Sequence, residues 1–255
     1  MQTAKIGGEA RTIQHGIVKI GGEARTIERG WAKVGGEARL IEFAPIPTEY
    51  RRVQYLKSTG SQYINLPFTT QENLVCEFEV GLPSELENES RAFYFSTFGY
   101  YYNSGYYTEW FHMYAPTGTG FRAIGRLSRS DRQASVSIDS LDSDTLYEAK
   151  IEFGPNASGV TKVTFNGDTA TSSTAAGLTA GGRDMRLFNK YPGSSTSANT
   201  VAGLFGKFKA YNATETLCDF WPCYRVSDNK PGYWDTVSET FFTNAGSGEF
   251  TLGPE

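Results

Sequence analysis

The stretch DFWPCYRVSDNKPGYWDTVSETFFTNAGSGEFTLGPE, residues 219–255, decides the fold prediction. It concentrates large aromatic side chains at Trp221, Tyr224, Tyr233, Trp234, Phe241, Phe242 and Phe250. The residues that form turns lie between them: Asp228-Asn229, Pro231-Gly232, Asn244–Gly246 and Ser247-Gly248. Short antiparallel strands joined by tight turns have this pattern. Because the stretch cannot bury so much aromatic surface alone, it must pack against the rest of the chain.

The rest of the chain also favours strands over helices. Aromatic residues make up 14% of the 255 residues and glycine occurs 28 times, a mixture that suits strands and turns. LYEAKIEF, residues 146–153, alternates apolar and charged positions, and VTKVTFNG ends in Asn166-Gly167, which favours a hairpin. Residues 169–182 are small and polar and predict a loop. The pattern predicts an all-β protein with two packed antiparallel sheets.

Residues 4–43 contain three copies of a repeat with a 14-residue period: AKIGGEARTI, VKIGGEARTI and AKVGGEARLI. Each copy predicts a β-hairpin, because its Gly-Gly pair tolerates the positive φ of a two-residue turn. A hairpin this small is marginally stable alone, so it needs other repeats, other copies of the chain or a larger assembly. The residues predicted to attach or oligomerise the protein are Ile6, Arg11, Ile13, Ile20, Arg25, Ile27, Val34, Arg39 and Ile41. A flexible charged arm is the alternative.

The closing stretch resembles the end of concanavalin A-like, laminin-G-like jelly-roll domains in phage and gut-bacterial surface or virion proteins. VQYLKSTGSQYINLPF, residues 53–68, is similar to the opening strand pair of those domains. The repeats resemble short GG.AR.I units ahead of such domains in phage minor structural proteins. The closing match comprises Pro222–Arg225, Ser227-Asp228, Gly232, Trp234-Asp235, Val237, Phe242–Asn244, Gly246, Gly248, Phe250 and Gly253-Pro254. The resemblance implies a two-sheet antiparallel jelly-roll sandwich in a phage virion, preceded by a small β-hairpin repeat segment.

The chain divides into three regions on these grounds. Residues 1–44 hold the three repeats, residues 45–49 form a linker stiffened by prolines, and residues 50–255 form the jelly-roll domain. The last region has about 200 residues, a usual size for one sandwich.

The charge and the apolar pattern exclude several kinds of partner. The net charge is −4 and charges of both signs are interspersed, which argues against nucleic acid. No apolar run reaches 18 residues and no signal peptide is visible, so we expect synthesis in a bacterial cytoplasm and no membrane span. Cys76, Cys218 and Cys223 have no metal-ligand spacing and are predicted to be reduced structural thiols.

A tyrosine-rich segment, FGYYYNSGYY at residues 98–107, is the strongest candidate for a binding site. Strand alternation can bury at most about half of its side chains, so some tyrosines must be exposed or lie in an interface. Aromatic faces with a polar tip suit sugars and protein partners alike, and ordinary packing is the third interpretation. The residues predicted to contact a carbohydrate or a partner are Tyr100, Tyr101, Tyr102, Tyr106, Tyr107 and Trp110.

The sequence contains few residues that could form a catalytic site or a metal site. Glu77 and Glu79 approach the spacing of family 16-like glucanases, but the third acidic position is missing and a solvated strand face is the preferred interpretation. His15 and His112 are the only histidines, which leaves few candidates for a histidine metal cage or a Ser-His-Asp triad. We expect no cofactor and assign no metal ligands. Calcium is the one candidate ion, at Asp139, Asp142 and Asp144.

These observations predict a non-enzymatic phage virion protein of a fibre, tail or head appendage, exposed on the particle surface. Its repeats would contact other virion proteins and build a homo-oligomer, and its lectin-like domain would adhere to host-surface or environmental glycans. Many copies on one particle would multiply weak affinities. A purely architectural decoration protein without glycan binding, or a family 16-like glycan hydrolase, are the alternatives.

Overall fold

The computed structural model describes residues 3–6, 9–12, 16–20, 23–27, 29–34, 37–42, 46–69, 71–87, 93–100, 108–116, 120–126, 133–154, 160–172, 184–188 and 202–255. Only the backbone is described for residues 3–42, 93–95, 97–98, 100, 108–110, 126 and 184.

Each repeat forms an antiparallel two-stranded sheet, as predicted. The strands are β1 (Thr3–Ile6), β2 (Glu9–Thr12), β3 (Gly16–Ile20), β4 (Glu23–Ile27), β5 (Arg29–Val34) and β6 (Glu37–Glu42). The innermost pairs are Ile6 with Glu9, Ile20 with Glu23 and Val34 with Glu37. Two residues, the Gly-Gly pair of each repeat, therefore connect the strands of each hairpin.

The remaining strands build two larger antiparallel sheets. They are β7 (Tyr50–Arg52), β8 (Leu56–Thr59), β9 (Ile64–Thr69), β10 (Val75–Gly81), β11 (Phe93–Tyr100), β12 (Thr108–Ala115), β13 (Phe121–Arg126), β14 (Gln133–Ile138), β15 (Tyr147–Phe153), β16 (Thr161–Phe165), β17 (Asp168–Thr171), β18 (Asp184–Leu187), β19 (Ala202–Tyr211), β20 (Thr216–Arg225), β21 (Lys230–Asp235), β22 (Thr240–Thr243) and β23 (Thr251–Leu252). A 3-10 turn, Ser84–Leu86, follows β10. Within the described ranges, no helix is long and apolar enough to cross a membrane.

The larger sheet has eleven strands and the smaller has six. The larger runs in the order β17-β16-β15-β10-β19-β20-β21-β22, with β7 beside β20 and β8 between β19 and β23. The smaller runs in the order β14-β13-β12-β11-β18-β9. The chain changes sheets after β8, β9, β10, β14, β17 and β18, so strands that are distant in sequence become neighbours. These crossovers make the sandwich a jelly roll, which confirms the predicted fold class.

One hydrophobic core lies between the two sheets. Phe78 of the larger sheet meets Phe111 of the smaller sheet edge to face, with ring centroids 4.6 Å apart. Phe220, Tyr233 and Phe250 of the closing stretch are buried in the same core. In β15, Ala149, Ile151 and Phe153 are buried, as the alternation predicts. The closing stretch therefore does pack against the rest of the chain.

Two local predictions are wrong. Pro231-Gly232 is not a turn but part of β21, because Asn229, at a φ of 55°, already helps to reverse the chain. Residues 169–171 belong to β17 rather than to a loop. The reason is the hairpin turn before them, where Asn166 and Gly167 have φ values of 47° and 93° and return the chain alongside β16.

The three cysteines are buried and free. Burial raises the pKa of the Cys76 and Cys218 thiols well above the usual value and that of Cys223 to about 12. Because the thiolate is the nucleophile and the metal ligand, these groups are inert in the folded protein. They act as small apolar side chains, which agrees with the prediction of structural thiols.

Candidate functional site

The tyrosine-rich segment connects β11 to β12 near the middle of the smaller sheet. Tyr101, Tyr102, Tyr106 and Tyr107 lie outside the described residues. Tyr100 ends β11, where its backbone pairs with Thr108 and Met185, and Trp110 is the third residue of β12. The assignment of this segment to ligand binding stays a prediction.

The residues predicted for attachment occupy equivalent backbone positions in the three hairpins. Arg11 pairs with Ala4, Arg25 with Val18 and Arg39 with Ala32. Of the other predicted residues, Ile13 lies outside the described residues, whereas the strands contain Ile6, Ile20, Ile27, Val34 and Ile41. The hairpins therefore repeat in structure as well as in sequence.

Glu77 and Glu79 lie on the outer face of the larger sheet and contact structural partners. The Tyr211 hydroxyl donates to Glu77 Oε1 at 2.7 Å, and Lys150 Nζ lies 3.4 Å from the same oxygen. Glu79 Oε2 accepts the backbone N–H of Lys207 at 3.0 Å, beside a bulge in the pairing of β10 with β19. Burial, followed by the hydrogen bond to Glu77, raises the pKa of Tyr211. These contacts fit the interpretation of both carboxylates as a solvated strand face.

The aspartates proposed for calcium are not arranged as a metal site. The Asp144 carboxylate accepts the Ser84 backbone N–H at 3.2 Å and lies 3.7 Å from Lys57 Nζ. The backbone N–H of Asp142 donates to the Tyr147 hydroxyl. Across the described part of the chain, no group of three or more His, Cys, Asp or Glu side chains could hold a metal ion.

A cluster of aromatic rings lies on the outer face of the larger sheet, away from the main core. We call it the aromatic platform and define it as Tyr50, Trp221, Trp234 and Phe241. Strand alternation creates it, because Phe220, Tyr233 and Phe242 point into the core while their neighbours Trp221, Trp234 and Phe241 point outward. The Tyr50 ring centroid lies 5.1 Å from that of Trp234 and 4.7 Å from that of Phe241. Tyr50, Trp234 and Phe241 remain partly exposed.

Cationic side chains surround the platform. Lys207 Nζ lies 3.7 Å and Arg52 Cζ 4.7 Å from the centroid of the Trp221 ring. Arg225 Cζ lies 5.9 Å from the Phe241 ring centroid. Cations over aromatic faces are attracted by the quadrupole of the ring. The platform is therefore an apolar surface whose rings carry cationic side chains, of which Arg225 is also paired with Asp228.

Trp221 is the most deeply buried member of the platform, with 7% of its surface exposed. Ile46, which leads into the sandwich from the repeats, packs in the same cluster together with Cys223. The indole Nε1 of Trp221 is buried and has no hydrogen-bond partner among the described residues. Gly232 lets Phe241 lie close to β21, because a Cβ there would approach the Phe241 ring to 2.7 Å and overlap the Phe242 carbonyl oxygen.

The ion pair at the platform edge gives a testable prediction. Arg225 donates from Nε to Asp228 Oδ1 at 3.0 Å and from Nη2 to Oδ2 at 2.6 Å. These bonds lower the pKa of Asp228 from 3.8 to about 2. Because the folded pKa is depressed, the contribution of the pair to stability is present above the ordinary pKa and is lost as the pH falls towards about 2.

We expect Arg225→Met to move the Asp228 titration midpoint back towards 3.8. Methionine keeps an apolar stem near Phe241 but donates no hydrogen bond. The midpoint is read from the carboxyl carbon shift of Asp228 in an NMR titration of both proteins. Equal midpoints for Asp228 in the two proteins would contradict the role of Arg225.

None of the platform residues is in the sequence-based set of binding residues. Three pairs of adjacent aromatic residues could have indicated the platform from the sequence. They are Phe220-Trp221, Tyr233-Trp234 and Phe241-Phe242. In a strand, neighbouring side chains point to opposite faces, so each pair must place one ring outside the core. Three such pairs on adjacent strands predict an aromatic outer surface.

Comparison with known proteins finds a distant structural similarity. No family model matches the sequence, and no curated protein matches it. Among solved structures, a native heptameric SAP-like pentraxin from Limulus polyphemus is similar, with a TM-score of 0.42 and 9% sequence identity. The match covers 62% of this chain and 76% of the pentraxin chain. A similarity this distant carries no information about what the present chain binds.

Proposed function

We propose that the chain is a non-enzymatic structural protein of a phage particle that presents its jelly roll for adhesion to glycans. The repeats attach the protein to other virion proteins and to further copies of itself. The tyrosine-rich segment at residues 98–107 contacts sugars, and many copies on one surface strengthen a weak contact. The phage setting rests on the sequence resemblance.

The observation that carries this proposal is the division between the repeats and the sandwich. Within the described residues, the strands of each repeat pair only with each other, as three separate two-stranded sheets. The sandwich, in contrast, encloses its own core, and both its first strand β7 and its last strand β23 pair with it. Because isolated two-stranded sheets are marginally stable, the repeats need a partner outside themselves.

We expect the full-length chain to be an oligomer and the fragment 46–255 to be a folded monomer. The fragment keeps Ile46 and the whole core, so it loses only the three hairpins. Light scattering gives the mass of each protein, and circular dichroism checks that the fragment retains its strands. A fragment with the same oligomeric state as the full chain would refute oligomerisation through the repeats.

Glycan binding is tested separately, on a glycan array that carries bacterial surface sugars. The triple change Tyr101→Ala, Tyr106→Ala and Trp110→Ala is expected to remove the signal, because it deletes the rings predicted to stack on sugar. An unchanged signal would disprove the assignment of the segment.

Two other functions predict different results when the same protein is tested against glycans. An architectural decoration protein gives no array signal with the unchanged chain. A glycan hydrolase cleaves its ligand and loses turnover in Glu77→Gln or Glu79→Gln. The contacts of Glu77 with Lys150 and Tyr211 favour a structural role for this carboxylate.

A further inference from the structure

The third hairpin, formed by β5 and β6, departs from the first two at one cross-strand pair. Its register places Trp31 directly opposite Leu40. The equivalent pairs are Thr3 with Thr12 in the first hairpin and Ile17 with Thr26 in the second. Between these two positions the three copies differ only by exchanges of one small or branched apolar residue for another. Because opposed residues of an antiparallel pair share a face, one face of the third hairpin has gained a large apolar pair.

This face is not the one predicted for attachment. We call the side that carries Trp31 and Leu40 the Trp31 face of the third hairpin. Strand alternation puts Val34, Arg39 and Ile41 on the other side. The attachment side has the same character in all three repeats, whereas the Trp31 face becomes more apolar towards the sandwich. The difference indicates a partner that the third hairpin reaches and the first does not.

A short tether holds the third hairpin beside the aromatic platform. β6 ends at Glu42, and Ile46 is buried in the same cluster as the platform rings. Four residues of extended chain span at most about 14 Å, so Glu42 lies within about that distance of Ile46. Trp31 and Leu40 lie two residues from the tethered end of the hairpin, roughly 7 Å along the strands. The large apolar pair is therefore at the end that is held near the platform.

The platform and the third hairpin complement each other. The rings of Tyr50, Trp234 and Phe241 lie on the outer face of the larger sheet and remain partly exposed. A two-stranded sheet is marginally stable until an apolar face is covered. Aromatic rings in contact stabilise a structure beyond the effect of the area that they bury. Because a short tether gives a high effective concentration, even a weak contact between the two surfaces suffices.

We propose that the third hairpin docks its Trp31 face on the aromatic platform of the same chain. Trp31 and Leu40 cover Trp234 and Phe241, and the hairpin extends the apolar contact that Ile46 begins. The attachment side of the hairpin then faces outward, in line with the first two repeats. A second copy of the chain fits less well as the occupant, because its own tether holds its hairpin at its own platform. The proposal does not depend on the phage setting or on glycan binding.

Hydrogen exchange of the full-length protein tests the docking. In Phe241→Ala, the backbone amides of residues 29–42 are expected to exchange about tenfold faster than in the unchanged protein. Because Phe241 lies outside the hairpin, this change leaves the intrinsic stability of the hairpin as it was. Trp234→Ala should have the same effect. The amides of β10 and β19 report whether the sandwich of each variant stays folded.

Matched changes within the repeats provide the control. The double change Trp31→Thr and Leu40→Thr gives the third hairpin the cross-strand pair of the first, so its exchange should rise as it does in Phe241→Ala. Ile17→Thr makes the corresponding change in the second hairpin. It should leave the exchange of residues 29–42 unchanged, because the second hairpin is not the one that docks.

A photo-reactive p-benzoylphenylalanine in place of Phe241 identifies what covers the platform. After illumination we expect a link to residues 29–42 of the same polypeptide, with the mass of one chain on a denaturing gel. The double change in the third hairpin should abolish this link. Three outcomes would overturn the proposal: a covalent dimer, which would mean that a second copy covers the platform; no link to residues 29–42; or unchanged exchange of these residues in both Phe241→Ala and Trp234→Ala.

Discussion

Replacing Tyr233 with alanine is expected to lower the free energy of unfolding by about 4–5 kcal/mol. Tyr233 is fully buried, and its ring stacks on Phe220 with centroids 5.6 Å apart. Its hydroxyl donates to the Phe205 backbone carbonyl at 2.9 Å, so the change also removes a buried hydrogen bond. Since typical domains have stabilities of about 5–15 kcal/mol, the loss would consume much of the total.

Two further changes separate the ring from the hydroxyl. Tyr233→Phe keeps the ring and removes only the hydrogen bond, so we expect a loss of about 1–2 kcal/mol. Val237→Ala changes an exposed side chain and should shift stability by less than about 0.5 kcal/mol. Guanidinium unfolding, followed by circular dichroism, measures all three. Similar midpoints for Tyr233→Ala and Val237→Ala would show that the closing stretch does not hold the core.

The sandwich was predictable because many of its strands bury one face and expose the other to solvent. In β15 and β16 the apolar residues alternate with charged or polar ones, and this alternation both identifies a strand and tells which residues face the core. The Asn166-Gly167 turn was equally clear, because few residues other than glycine and asparagine adopt positive φ. These are local properties, and a sequence displays them directly.

Properties that depend on the partner strand were not predictable. Pro231 and Gly232 are turn formers by composition, yet they lie in β21, where Gly232 lets Phe241 approach the strand. Nothing near Cys76 in the sequence indicates that β10 pairs with β15 and β19 rather than with its neighbours. Long-range pairing is a result of the jelly-roll crossovers, which only the resemblance implied.

The candidate binding sites were also predictable only where the signal is local in the sequence. Counting tyrosines identified the segment at residues 98–107 because its excess of rings is visible without any structure. The aromatic platform is divided between β7, β20, β21 and β22, and Tyr50 joins it from far away in the sequence. Aromatic residues in the closing stretch all looked like core residues. The structure shows that alternate rings face outward, away from the main core.

Replacing Asp235 with alanine is the second large expected loss, at about 3–5 kcal/mol. Asp235 is fully buried, and its carboxylate accepts the backbone N–H groups of Asp219, Val237 and Ser238 at 2.8, 3.3 and 3.1 Å. It also accepts the Ser238 hydroxyl at 2.6 Å. The carboxylate thus fixes the turn between β21 and β22, and alanine would leave three backbone donors without this acceptor.

Two smaller changes test whether the backbone contacts dominate. Asp235→Asn keeps the volume and one acceptor oxygen but turns an NH₂ group towards the donors, so an intermediate loss is expected. Ser238→Ala removes only the hydroxyl contact and should cost about 1 kcal/mol. Denaturant unfolding should rank the losses as Asp235→Ala, Asp235→Asn and then Ser238→Ala. If Ser238→Ala were as damaging as Asp235→Ala, the backbone bonds would contribute little. Because the turn also places Trp234 beside Phe241, Asp235→Ala should weaken the platform together with the fold.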